Sequence, residues 1–154
     1  MPRGDGRSRP NDRAVACPTV LPVSDSTVRI FLHVLAASVW VGGQLTVAGL
    51  LPVLRRLGAD APRQVARRFG VIAWSAFVVL VATGIWNLLE VDLSDTSPAY
   101  HATLGLKIGL VALSGVGAAV HSLGKSKAAL ALGGAVGFLA AIGALFSGIM
   151  LTGR

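Results

Sequence analysis

Sulfur is almost missing from this 154-residue sequence: Cys17 is its one cysteine, and Met1 and Met150 are its two methionines. A single thiol excludes an internal disulfide framework and any metal cage built from cysteine alone. Acidic residues are scarce as well, 7 Asp and Glu against 14 Lys and Arg, for a formal net charge of +7. That excess does not mark a nucleic-acid partner, because most of the basic residues lie in an N-terminal tail and two short connections, the pattern of a membrane topology. There is no Walker loop, no strand followed by a glycine-rich helix start, no HExxH and no plausible Ser/His/Asp set, so the usual signatures of soluble enzymes are absent.

What the chain has in abundance is apolar length. It is 53% hydrophobic with a mean hydropathy of +0.69, beyond what a water-soluble core needs. Its 19 glycines fall mostly inside apolar runs, where small residues let transmembrane helices approach closely. Residues 1–26, with Arg3, Arg7, Arg9, Arg13 and four prolines, read as a disordered tail. Ala14-Val15-Ala16 before Cys17 has the outline of a lipoprotein cleavage site, but residues 1–13 hold no apolar stretch, and Cys17 reads as a tail residue. Residues 27–153 read as a four-helix transmembrane domain.

The first span is expected over 28–51, capped by Ser24, Asp25 or Ser26 and closed by Pro52. A basic connection follows, with Arg55, Arg56, Arg63, Arg67 and Arg68, in which Asp60-Ala61-Pro62 reads as the start of a short surface helix. Residues 69–89 carry no charge and are long enough for a hydrocarbon core of roughly 30 Å. An acidic loop with Glu90, Asp92 and Asp95 leads to a third span over 99–122, whose one charge is Lys107. A basic turn, Gly124-Lys125-Ser126-Lys127, precedes an uncharged fourth span over 128–152. Short connections make neighbours antiparallel, so the fold class is all-α, a polytopic membrane four-helix up-down bundle. The positive-inside rule puts both termini on the extracytoplasmic side of a cell (inner) membrane. Gly105/Gly109 and Gly133/Gly137 are GxxxG pairs suited to close helix contacts.

Ionisable groups inside a span are costly and are functional candidates for that reason. His33 and Lys107 lie on spans that run in the same direction, both expected roughly 7–12 Å inside the outer boundary. His101 is shallower on that side, and Asn87, Glu90 and Met150 return to it from the other two spans. Each has an ordinary alternative. Lys107 has a stem long enough to snorkel toward Glu90 or Asp92, His33 a ring that can hydrogen-bond a neighbouring helix, and His101 a place at the interface beside Tyr100. His121, at the opposite end, reads as a lipid head-group contact. Trp40-Val41-Gly42-Gly43, in mid-span, suits either core packing or a flat cofactor lying on the glycines.

The run His33-Val-Leu-Ala-Ala-Ser-Val-Trp40-Val-Gly42-Gly43, then Arg67-Arg68-Phe69, Thr83-Gly84 and Leu106-Lys107, resembles the CopD-type copper resistance domain over roughly residues 28–152. The resemblance implies an inner-membrane protein of copper ion transport or copper tolerance, not an enzyme. It implies a copper ion held by His33, His101 and Met150, and a partner membrane or periplasmic copper protein. A histidine early in span one with a lysine in span three is also similar to the HemJ-type protoporphyrinogen oxidase. That resemblance implies a membrane oxidoreductase with haem b bound by His33 and Lys107. A third reading is a non-catalytic membrane subunit whose glycine faces dock a partner or a second copy. All three share the lipid bilayer as surroundings, and the copper family ranks first.

Overall fold

The structure, a computed structural model, describes residues 23–152; the tail reading of residues 1–22 and Cys17 lies outside the described residues. Four helices follow one another: α1 (Asp25–Leu57), α2 (Ala61–Leu89), α3 (Pro98–Leu123) and α4 (Lys127–Thr152), with one 3-10 turn, Leu93–Asp95, between α2 and α3. Among the described residues these four are each long and apolar enough to cross a membrane. This is a multi-pass membrane protein built as an all-α four-helix bundle.

Local chemistry sets the helix ends. Ser24 caps α1 by accepting from the Thr27 N–H, while the Thr27 hydroxyl accepts from the Ser24 N–H, a reciprocal capping box that starts the helix at Asp25. Ser97 caps α3 in the same way through the Tyr100 N–H, with Pro98 in the first helical position, where its missing N–H costs nothing. Two expectations need correction. Pro52 does not close the first helix, which runs on to Leu57. A proline removes only one backbone hydrogen bond, and near a span's end the freed carbonyl is within reach of other donors. The basic connection contains no separate surface helix either. Ala61 opens a continuous 29-residue helix, and Pro62 sits in its first turn, where proline is compatible with helix.

The bundle is two antiparallel hairpins, α1 with α2 and α3 with α4, that meet each other over few residues. Its interior is mostly small residues around one large ring: Ala36, Ala73, Ala140, Ala141, Ala144, Ser114 and Ser147 are buried, together with Trp40, Val41 and Thr83. Large apolar side chains point outward instead, among them Phe31, Val71, Ile85, Leu106 and Phe146. In water this arrangement would aggregate; in lipid, close backbone packing drives association and outward apolar surface is solvated.

The α3/α4 hairpin is closed by glycine. A Cβ on Gly117 would lie 2.6 Å from the backbone of Gly137, and one on Gly133 2.7 Å from the backbone of His121. Gly133/Gly137 is therefore a true contact. Gly105 and Gly109 are not within the fold, since a Cβ at either would meet nothing within 4 Å; that face of α3 points away from α4. The α1/α2 hairpin is filled by rings. Trp40, Trp74 and Phe77 pack edge-to-face or tilted with centroids 4.5–5.7 Å apart, and the Phe69 ring occupies the space beside Gly43. The Trp40 motif is thus part of the packed core, together with Val41, Ala73 and Ala141.

Candidate functional site

One hydrogen bond sets the register between the hairpins. Trp40 Nε1 donates to Ser114 Oγ over 3.0 Å, both residues buried. Seven residues back along each chain, close to two full helical turns, stand His33 on α1 and Lys107 on α3. Two turns return a side chain to nearly the same face, so His33 and Lys107 share the level and the helix faces that bring Trp40 to Ser114. Both are partly buried.

The protonation pattern of His33 follows from its partner. Thr83 Oγ1 has one proton, which it donates to the Val79 carbonyl at 2.7 Å, with the Leu80 carbonyl at 3.2 Å. Toward His33 Nδ1, 2.9 Å away, that oxygen therefore acts as acceptor, so Nδ1 carries the ring proton and Nε2 carries the lone pair. Gly84 gives the ring its space: a Cβ there would sit 3.4 Å from His33 Cε1. A ligand nitrogen oriented through its other ring nitrogen is a common arrangement in metal and haem sites.

Lys107 Nζ lies against α4, 3.3 Å from where a Cβ on Gly148 would be, and it forms no hydrogen bond or ion pair with any described residue. The expected snorkelling partners are engaged elsewhere. Glu90 accepts from Trp86 Nε1 at 3.2 Å, and Asp92 accepts from the hydroxyl and the N–H of Ser94. His101 Nδ1 donates to the Ser97 carbonyl at 3.0 Å, its Nε2 lies 3.4 Å from Thr96 Oγ1, and the ring is exposed. Met150 is 52% exposed on α4. Among the described residues no group of three or more His, Cys, Asp or Glu is placed to hold a metal ion.

His121, exposed at the opposite end, is a structural clasp. Its Nδ1 donates to the Leu130 carbonyl at 2.6 Å, tying the end of α3 to the start of α4. Ser114 and Gly148 were not singled out by sequence reasoning. A buried serine is an ordinary helix residue until a tryptophan on another helix is known to reach it, and a glycine's neighbour is invisible before register is known. The 74-residue offset shared by Trp40/Ser114 and His33/Lys107 is the signal that links them. No protein-family model, curated protein or solved structure matches the chain.

Proposed function

We propose that this multi-pass protein of the cell (inner) membrane is a haem b-binding oxidoreductase, with His33 and Lys107 holding the haem between its two hairpins. The observation that carries the reading is the pairing, at one level, of an imidazole whose Nε2 lone pair is free with an amine that has no partner. The residues fit the group by their chemistry: His33 and Lys107, on different helices, would hold a haem iron through an imidazole and an amine, and the two hairpins meet over few residues. When bound, haem supplies a one-electron iron couple. Thr83 holds the His33 ring in its ligating tautomer. Lys107 would hold the group only through its deprotonated amine, whose lone pair is then available. The five arginines between residues 55 and 68 support an orientation with that end cytoplasmic and both termini outside.

Purified protein should show a Soret band of near-stoichiometric haem, lost or shifted in both His33→Ala and Lys107→Ala. Thr83→Val, which keeps the shape of a side chain 6% exposed, should weaken haem binding by about 10- to 100-fold and leave the fold intact. A copper site is the second reading, favoured by the position of His33, His101 and Met150 toward the same end of the bundle. Copper co-purifying without haem, with copper tolerance lowered by His33→Ala and unchanged by Lys107→Met, would replace the haem assignment with that one.

A further inference from the structure

One face of α2 runs unbroken from the basic end of the bundle into the membrane. Gln64, Arg67, Arg68 and Val71, at spacings of three, one and three residues, line a cleft of about 510 Å³. The same stripe continues three and four residues at a time through Trp74, Val78 and Val81 to Ile85, which with Phe77 and Ala82 line an open apolar groove of about 480 Å³. Val71 and Val78 are 70% and 65% exposed, so the floor of this track is open from the side. No described carboxylate forms an ion pair with Arg67 or Arg68.

We propose that this face of α2 is a binding site for an anionic phospholipid of the bilayer, its phosphate between Arg67 and Arg68 and one acyl chain along Val71, Trp74, Val78 and Val81. The chemistry changes where a lipid's does. Two guanidiniums and an amide stand at the last charged turn of the helix, and the uncharged stretch begins at the next residue, Phe69. Planar guanidiniums bind phosphate oxygens through two parallel N–H donors, a geometry an ammonium does not provide. The length also agrees: the ten helical steps from Val71 to Val81 rise about 15 Å, half of a hydrocarbon core of roughly 30 Å and hence one leaflet. Free phosphate would use only the first part of the track and leave the apolar groove without a role. An amphiphile with a single negative head uses both parts.

The test is native mass spectrometry of the delipidated full chain in detergent, titrated with phosphatidylglycerol, phosphatidylcholine or inorganic phosphate. Two arginines at the membrane surface should favour phosphatidylglycerol over phosphatidylcholine by about 30-fold. Arg67→Gln/Arg68→Gln should abolish that preference, while Arg55→Gln/Arg56→Gln, with the same loss of charge on the neighbouring helix, should change it less than about twofold. Val78→Trp, which fills the apolar groove and leaves the arginines in place, should weaken both lipids. Equal affinity for the two lipids, an equal loss in the two double variants, or displacement of phosphatidylglycerol by millimolar phosphate would overturn the proposal. Failure here would leave the Soret spectrum, and so the haem reading, unaffected.

Discussion

The two hairpins solve the same packing problem with opposite means. In α3/α4 the backbones themselves touch, because Gly117, Gly133 and Gly137 present no side chains at the crossing. In α1/α2 the helices are held apart by Trp40, Trp74, Phe77 and Phe69, and the space so created admits polar groups such as His33 and Thr83. Close contact leaves no room for chemistry. The ring-spaced hairpin carries the histidine bonded to Thr83, and the glycine-closed hairpin supplies a support from which Ser114 reaches across, while Lys107 lies against α4 within it.

The largest expected effect lies in the glycine seam. Gly117→Leu should destabilise the protein by about 3 kcal/mol or more, since backbone cannot move aside as a side chain tip can. Gly109→Leu, on the open face of the same helix, should stay within about 0.5 kcal/mol of wild type. Reversible unfolding in detergent micelles reads both; equal effects at the two positions would erase the distinction between the hairpins.

A middle-sized effect is expected where the hairpins join. Trp40→Phe keeps much of the ring packing but leaves Ser114 Oγ, 1% exposed, without its donor. A double-mutant cycle with Ser114→Ala should give a coupling of about 0.6–1.7 kcal/mol, the range of interhelical hydrogen bonds in membranes. Coupling indistinguishable from zero would mean that this bond does not hold the register on which the level placement of His33 and Lys107 rests.

The smallest effect concerns the loop between the hairpins. The Ser94 hydroxyl, and then its N–H, hold the Asp92 carboxyl below its usual range. Because the folded value is depressed, this stabilisation is complete above the ordinary carboxylate pKa of about 3.9 and is lost as the pH falls through the lower folded value. Protection of the Ser94 amide from hydrogen exchange should therefore decline only in that acid window. Asp92→Asn should remove the pH dependence; an unchanged profile would count against the Asp92–Ser94 contact.

Much of the architecture was legible because membrane insertion leaves strong marks in composition. Runs free of charge at 69–89 and 128–152, the acidic loop at 90–95 and the basic turn at 124–127 all record where chain must lie in lipid or in water, and the four helices follow them. Helix ends were less legible where the mark has two meanings. Pro52 interrupts hydrogen bonding without ending a helix, and Asp60-Ala61-Pro62 opens the spanning helix itself. Ser24 was readable among the cap candidates because its side chain acts only on neighbours in sequence.

The amino-acid sequence by itself determined that this chain crosses a bilayer four times and carries His33 and Lys107 within its spans, since hydropathy and charge act locally along each helix. It did not determine which glycines touch: Gly105/Gly109 and Gly133/Gly137 are the same motif, and only the rotation of each helix about its axis made one a seam and left the other open. Nor did it decide which faces of their helices His33 and Lys107, already readable as level, would occupy. That depended on the Trp40–Ser114 bond between residues 74 positions apart. Rotation and register arise from interlocking side chains on different helices, and no local pattern encodes them.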